Sequence, residues 1–147
     1  MLRTSSKWAS LALLSAALWC HPGEARAEAR LAIGANYWMT KQGVFDLTLA
    51  IDTRLVSTLN VGGRFGGALA VDPEIIMVPV DLFLRFVLAR RFYLEALGGA
   101  WVAIDPTELL GHFAFGIGIR TAGVNFGVEL GYLDPRAIVG IKLAIPF

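Results

Sequence analysis

The sequence has few charged residues. Only 17% of its 147 residues are charged, whereas about a quarter are charged in ordinary soluble domains. Hydrophobic residues make up 56%, and the mean hydropathy is +0.60. The formal net charge is +1 and Lys and Arg form no polybasic patch along the sequence, so no nucleic-acid interface is expected. This composition disfavours an ordinary soluble domain.

Long apolar runs and cysteines are also scarce. After the first two dozen residues, no window offers the roughly 18 uncharged apolar residues of a spanning helix. The best candidate, residues 75–89, contains a proline and two charged residues. The single cysteine, Cys20, follows Trp19, which is too large for a lipobox, so a lipoprotein is disfavoured and no disulfide is expected. An apolar chain without a spanning helix favours a closed barrel, because hydrocarbon cannot satisfy an open sheet edge.

The first 27 residues have the pattern of an export signal. Two basic residues, Arg3 and Lys7, precede a short apolar core, and residues 25–27 (Ala-Arg-Ala) match a signal-peptidase site. We expect a cleaved signal peptide over residues 1–27 and a mature domain over residues 28–147. Export of an apolar, helix-free domain indicates a Gram-negative envelope.

Apolar residues alternate with small or polar ones in eight segments. The clearest is the last, where one parity is uniformly apolar: Ala137, Val139, Ile141, Leu143, Ile145 and Phe147. A period of two predicts a β-strand. The other segments cover residues 29–39, 45–52, 55–71, 76–88, 92–104, 112–120 and 124–132. Their lengths are near the ~9–11 residues of a strand that crosses a bilayer, and an even count brings both ends to one side. We therefore predict an all-β fold, an eight-stranded antiparallel up-and-down transmembrane β-barrel.

Turn signals separate these segments in two sets. The first set contains Asp72-Pro73, Asp105-Pro106, Asp134-Pro135 and Lys41-Gln42-Gly43, predicted as outer loops. The second set contains Asp52-Thr53-Arg54, Ala89-Arg90-Arg91 and Thr121-Ala122-Gly123. Only residues 106–111 could form a loop of any length.

The small-residue face of the strands carries the charges. A soluble barrel would bury the apolar face, but a face of Gly and Ala with scattered charges suits a narrow lumen better than a solvent coat. The predicted lumen charges are Arg30, Asp46, Arg64, Asp81, Arg85, Glu95, Arg120, Glu129 and Lys142. A short turn at residues 89–91 would place Arg85 opposite Glu95 or one diagonal step away. Trp38 and Trp101 share the inward parity and would fill the outer end. These charges could line an ion conduit or form a neutralised plug. Eight strands favour the plug, because their interior is only wide enough for side chains.

The segments after the predicted signal contain little catalytic chemistry. His112 faces inward near the outer rim, whereas Ser57 has lipid-facing parity near the inner rim, so they cannot meet as base and nucleophile. No second His or Cys is present to build a zinc site. We expect no enzyme, no metal and no cofactor.

The closing strand resembles that of bacterial outer-membrane barrels, where apolar residues alternate up to a final Phe. Leu143, Ile145 and Phe147 match this assembly signal, and the predicted mature domain resembles the small OmpA/OmpX-type barrels throughout. The resemblance implies a monomer in outer-membrane lipid that meets the barrel-assembly machinery and periplasmic chaperones. It also implies a structural or envelope-maintenance role. The alternatives are a narrow pore for small solutes or ions, a surface-binding protein and a lipid-modifying enzyme.

Overall fold

The computed structural model describes residues 27–147, which form eight strands in one closed sheet. The strands are β1 (Ala27–Trp38), β2 (Gln42–Val56), β3 (Leu59–Val71), β4 (Ile75–Leu88), β5 (Phe92–Ile104), β6 (Thr107–Arg120), β7 (Asn125–Leu133) and β8 (Arg136–Pro146). Each strand pairs antiparallel with the next, and β8 pairs with β1. The prediction of an eight-stranded antiparallel barrel is confirmed. The signal peptide predicted over residues 1–27 lies outside the described residues except for Ala27.

The strands are staggered around the barrel. One circuit of paired residues runs from Glu28 through Asp52, Gly62, Phe83, Leu97, Ala114, Gly131 and Ile138 to Trp38. The circuit therefore returns to β1 ten residues further along. Such a stagger tilts the strands and sets the width of the barrel, and eight strands leave room only for side chains. None of the described residues forms a helix that is long and apolar enough to cross a membrane.

Turns of two to four residues join the strands, at two ends of the barrel. The four-turn end carries the turns at residues 39–41, 72–74, 105–106 and 134–135. The three-turn end carries the turns at residues 57–58, 89–91 and 121–124. Phe147 also lies at the three-turn end, where its amide donates to the carbonyl of Ala29.

The turn predicted at Asp52-Thr53-Arg54 is wrong, because β2 continues to Val56 and Ser57 lies in the turn after it. Asp52 faces the lumen and is 2% exposed. Its carboxylate lies 2.6 Å from Nη2 of Arg30. The ion pair with Arg30 explains why Asp52 lies in a strand, although Asp favours turns.

The loop predicted over residues 106–111 is also wrong, because β6 begins at Thr107. Ile104 and Thr107 are partners in the ladder between β5 and β6, which leaves a turn of two residues. Leu110 lies inside the predicted loop and is buried in the lumen. The packing of Leu110 in the lumen favours the strand conformation at the start of β6.

The two faces of the sheet differ in charge. The outward positions of the eight strands carry no Asp, Glu, Lys, Arg or His side chain. They carry mainly Leu, Ile, Val and Phe, and Leu82 is 72% exposed. Every charged residue of these strands has the inward parity, and those that are exposed, Arg54, Glu108 and Arg136, lie near the strand ends. The barrel is thus apolar outside and ionic inside.

Inward glycines make room for polar side chains on the neighbouring strand. Gly99 is the direct partner of Asp81, and a Cβ on Gly99 would lie 2.6 Å from Oδ1 of that carboxylate. Gly34 is the partner of Asp46, and its Cβ would lie 2.7 Å from the carboxylate carbon. Outward Gly98, by contrast, has no heavy atom within 4 Å of such a Cβ.

These neighbouring glycines provide a matched test of the packing inside the barrel. We predict that Gly99→Ala lowers the free energy of unfolding by about 1–3 kcal/mol, because the added methyl clashes with the backbone carbonyl of Val80 and with Asp81 on the neighbouring strand. Gly98→Ala adds the same methyl to open space, and its effect should stay within about 0.5 kcal/mol. Urea titration of the folded protein in detergent measures both, and equal losses would contradict the assigned inward and outward faces.

Candidate functional site in the barrel lumen

The inward side chains form three layers along the barrel. The apolar cap lies near the four-turn end and consists of Trp38, Val44, Ala68, Ala70, Met77, Trp101, Ala103, Leu110, Leu133 and Ile138. The central network follows and consists of Asn36, Asp46, Arg64, Asp81, His112, Glu129 and Lys142. The lower network lies toward the three-turn end and consists of Arg30, Asp52, Asn60, Arg85 and Glu95.

The apolar cap fills the lumen where the sequence predicts two tryptophans. Trp38 is 5% exposed and Trp101 is 2% exposed, so both rings are buried. Trp38 Nε1 donates to the carbonyl of Leu133 at 2.8 Å, which satisfies its only polar atom. Trp101 Nε1 donates to Asp81 Oδ2 at 3.3 Å and joins the cap to the central network.

Asp81 is bound by side chains from three strands, Arg64, Trp101 and His112. Arg64 Nε donates to Asp81 Oδ2 at 2.8 Å. His112 Nδ1 lies 2.8 Å from the other oxygen, and the His112 ring is 5.1 Å from the ring of Trp101. Both carboxylate oxygens are therefore occupied. The direct partner Gly99 leaves the space that this arrangement needs.

Glu129 connects two cations from different strands. Arg64 Nη1 lies 2.9 Å from Glu129 Oε1 and 3.2 Å from Oε2, while Lys142 Nζ lies 2.7 Å from Oε1. These contacts cross the lumen from β3 to β7 and β8. Within the same layer, Asn36 Nδ2 donates to Asp46 Oδ2 at 2.7 Å. The layer fills the interior from all sides, as expected for a barrel only wide enough for side chains.

The lower network contains two ion pairs. Arg85 and Glu95 are direct partners across the short turn, and Arg85 Nε donates to Glu95 Oε2 at 2.6 Å. Asn60 Nδ2 donates at 2.6 Å to Asp52, the partner of Arg30. Both arginines also lie over aromatic rings. The ring centre of Phe83 is 5.8 Å from Arg30 Cζ and 5.4 Å from Arg85 Cζ, and the ring centre of Tyr93 is 4.5 Å from Arg85 Cζ. Opposite charges and aromatic faces thus offset part of the cost of burying both guanidinium groups. Among the described residues, no hydrogen-bond partner is found for Nη1 of Arg85 or for the three nitrogens of Arg30, whose contact with Asp52 is an ion pair.

The structure brings eight of the nine predicted lumen charges into these two networks. Arg120 differs, because it lies at the rim with 28% of its side chain exposed and contacts Glu28 at 3.6 Å. Four residues of the networks are missing from the predicted charges: the titratable Asp52 and His112 and the amides Asn36 and Asn60. Asp52 shares the inward parity of Asp46, which is the signal that could have found it.

Two small cavities in the lumen match single water molecules. One cavity of about 20 Å³ lies among residues that include Arg30, Thr48 and Glu95. A second of about 10 Å³ is lined by residues that include Asn36 and Trp101. A buried water needs about 10–15 Å³, so neither cavity holds a chain of waters.

Ser57 and His112, the one pair considered as nucleophile and base, lie far apart in the structure. Ser57 is exposed in a turn at the three-turn end, whereas His112 is 6% exposed and lies just below the apolar cap. A nucleophile and its base need hydrogen-bond contact. Within residues 27–147, no group of three or more His, Cys, Asp or Glu side chains is arranged to hold a metal ion.

The residues of the predicted assembly signal lie on the outside of the barrel. Leu143, Ile145 and Phe147 are 49%, 52% and 77% exposed. They belong to the apolar outer face, next to the seam where β8 pairs with β1. Their role in assembly stays a prediction.

Removing one partner from the central network tests its energetic weight. We predict that Arg64→Met lowers the free energy of unfolding by about 3–5 kcal/mol, because it leaves the buried Asp81 and Glu129 without their shared cation. Arg120→Met removes the same charge at the rim and should cost about 0–1 kcal/mol. Equilibrium unfolding in detergent compares the two variants, and a similar cost for both would mean that the lumen is hydrated.

The comparisons with known proteins concern the fold. No protein-family model matches the sequence, and no curated protein matches it either. A de novo designed transmembrane β-barrel superposes with a TM-score of 0.65 at 12% identity, covering 82% of this chain and 95% of the design. The outer membrane protein Ail of Yersinia pestis, in a phospholipid bilayer nanodisc, gives 0.57 at 11% identity, covering 83% of this chain and 100% of Ail. The N-terminal β-barrel domain of Pseudomonas aeruginosa OprF gives 0.56 at 10% identity, with 84% and 100% coverage.

These likenesses agree with the strand order and closure described above. Identities of 10–12% carry no information about ligands or partners, so only the architecture is shared. The chain has the fold of the small eight-stranded outer-membrane β-barrels.

Proposed function

We propose that this protein is an integral β-barrel of the Gram-negative outer membrane, with a structural or envelope-maintenance role and a lumen plugged by its own side chains. The observation that carries the proposal is the complete lack of charged side chains at the outward positions of β1 to β8. Such a face is a poor surface for water and a good one for acyl chains. Closure of the sheet also satisfies the backbone groups that hydrocarbon cannot.

Strand length and aromatic positions fit a bilayer. The strands have 9 to 15 residues, enough for the roughly 9–11 residues that a tilted strand needs to cross. Exposed rings lie near both ends of the barrel, as in the interfacial girdles of membrane barrels. Those nearer the four-turn end are Tyr37, Phe45, Phe113 and Tyr132, and those nearer the three-turn end are Phe86, Phe92 and Phe126.

The even number of strands brings Ala27 and Phe147 to the same end of the barrel, which we assign to the periplasm as in other outer-membrane barrels. The three-turn end, which also carries Ala27 and Phe147, would face the periplasm, and the four-turn end would face outward. Outer-membrane lipids are then the main partners of the folded protein, which would be a monomer. During biogenesis the apolar outer face of β8 would meet periplasmic chaperones and the barrel-assembly machinery, with Leu143, Ile145 and Phe147 as the recognised residues.

The filled lumen supports a plug over a pore. The apolar cap closes the four-turn end, and the two ion networks occupy the lumen below it. The short turns leave little surface for a binding partner, and the distance between Ser57 and His112 removes the simplest catalytic arrangement. We therefore propose no enzymatic activity.

A pair of leucines tests the membrane placement. Leu82, in the middle of β4, and Leu109, near the start of β6, are 72% and 68% exposed, so they differ mainly in their height along the barrel. We predict that Leu82→Arg costs about 2–4 kcal/mol in lipid vesicles and that Leu109→Arg costs about 0–1 kcal/mol. Unfolding in vesicles measures both. Equal and small costs would mean that no hydrocarbon surrounds the barrel.

Conductance separates the plug from the pore. The purified protein, reconstituted in planar bilayers, should give no discrete single-channel currents, because the apolar cap closes the lumen and the two cavities below it fit single waters. A porin of sixteen strands in the same bilayers is the positive control. Reproducible currents from the folded protein would contradict the plugged lumen and favour the narrow pore.

A further inference from the structure

The exposed charges separate between the two ends of the barrel. The four-turn end carries five exposed carboxylates against two exposed cations: Asp72, Glu74, Asp105, Glu108 and Asp134 against Lys41 and Arg136. The three-turn end carries the exposed residues Arg54, Arg90 and Arg91, with the half-buried Arg120 and Glu28 at its rim. The end that we assign to the periplasm is therefore basic, although Lys and Arg form no patch along the sequence.

Three of these arginines share one open cleft of about 660 Å³. The cleft is lined by Arg90, Arg91, Ile119, Arg120, Thr121 and Ala122. The amide of Arg120 donates at 2.6 Å to the carbonyl of Arg91, which joins the end of β6 to the turn before β5. Glu28 contacts Arg120 at 3.6 Å and offsets part of its charge, which leaves the cleft with a positive balance.

The same cleft opens onto the apolar outer face. Ile119 lines the cleft and is also an outward residue, 41% exposed, whose direct partner Phe92 is 50% exposed. A ligand that is anionic at one end and apolar at the other can therefore contact arginines and the outer face at once. Guanidinium groups bind phosphate oxygens in paired hydrogen bonds. The arginines of the cleft therefore suit the phosphodiester of a lipid headgroup.

We propose that this cleft binds the phosphate of an anionic phospholipid in the inner leaflet, with the acyl chains along Ile119 and Phe92. The proposal rests on the membrane placement proposed above, and it adds a lipid partner and a site. Free phosphate shares the headgroup chemistry but lacks the apolar part, so it would leave Ile119 and Phe92 without a role.

The test measures which lipid stays bound to the folded barrel. The full protein is reconstituted in vesicles of equal parts phosphatidylcholine and phosphatidylglycerol, extracted in mild detergent, and examined by native mass spectrometry. We expect the wild type to retain phosphatidylglycerol in preference to phosphatidylcholine. Arg90→Gln combined with Arg91→Gln should reduce that preference by roughly fivefold for each arginine removed. Arg91→Gln alone should give an intermediate value.

Arg54→Gln is the matched control, because it removes an exposed arginine from the same end without changing the lining of the cleft. It should keep the wild-type preference. A loss equal to that of the cleft variants would mean that overall charge, and not this cleft, attracts the lipid. Equal retention of both lipids by the wild type would also overturn the proposal, as would displacement of the bound lipid by inorganic phosphate at low concentration. Failure of the wild type to insert in the vesicles would instead contradict the membrane placement.

Discussion

The pairing of opposite charges inside the barrel is the interaction on which the rest of the structure depends. A lumen formed by eight strands is only as wide as its side chains, so an inward arginine must meet a partner or remain uncompensated. Arg64 reaches Asp81 and Glu129, and Arg85 reaches Glu95. Glycines opposite the carboxylates provide the space: Gly99 is the partner of Asp81, and Gly116 is the partner of Glu95 and Glu129.

The filled interior also allows the exterior to remain uncharged. All charged side chains of the strands lie inside the barrel or at its rims, and the outward positions carry mainly apolar residues. The apolar cap closes one end with Trp38 and Trp101, while the other end is basic and open at its rim. The barrel therefore has two distinct ends, which agrees with a fixed orientation across a membrane whose two surfaces differ.

Much of the fold could be predicted because the side-chain period of a strand is visible in the sequence. The parity of Leu143, Ile145 and their neighbours identifies a strand and its faces without knowledge of the register. The sequence predicts a turn at Asp52 because Asp favours turns, and only the ion pair with Arg30 explains why this residue continues a strand. The sequence predicts a loop over residues 106–111, which begin with a Pro and end with a Gly, although Leu110 packs in the lumen.

The contacts between distant strands could not be predicted in the same way. Arg91 and Arg120 are far apart in sequence, and they share a cleft because β5 pairs with β6 in one particular register. The approach of Glu129 to Arg64 depends on closure and stagger together, since β3 and β7 are not neighbours in the sheet. Parity predicts which way a side chain points, whereas the partner depends on the whole barrel.

In the proposed placement, alternate residues of each strand face lipid and a dry interior. Because Cys20 is the only cysteine, its replacement by alanine allows single spin labels to be placed at successive positions of β4 from Ile76 to Leu88. Collision with oxygen reports lipid, and collision with a water-soluble nickel complex reports water. We predict high oxygen accessibility at even-numbered positions and low accessibility to both reagents at odd-numbered ones. Accessibility of the even-numbered positions to the nickel complex in the middle of β4 would contradict the account.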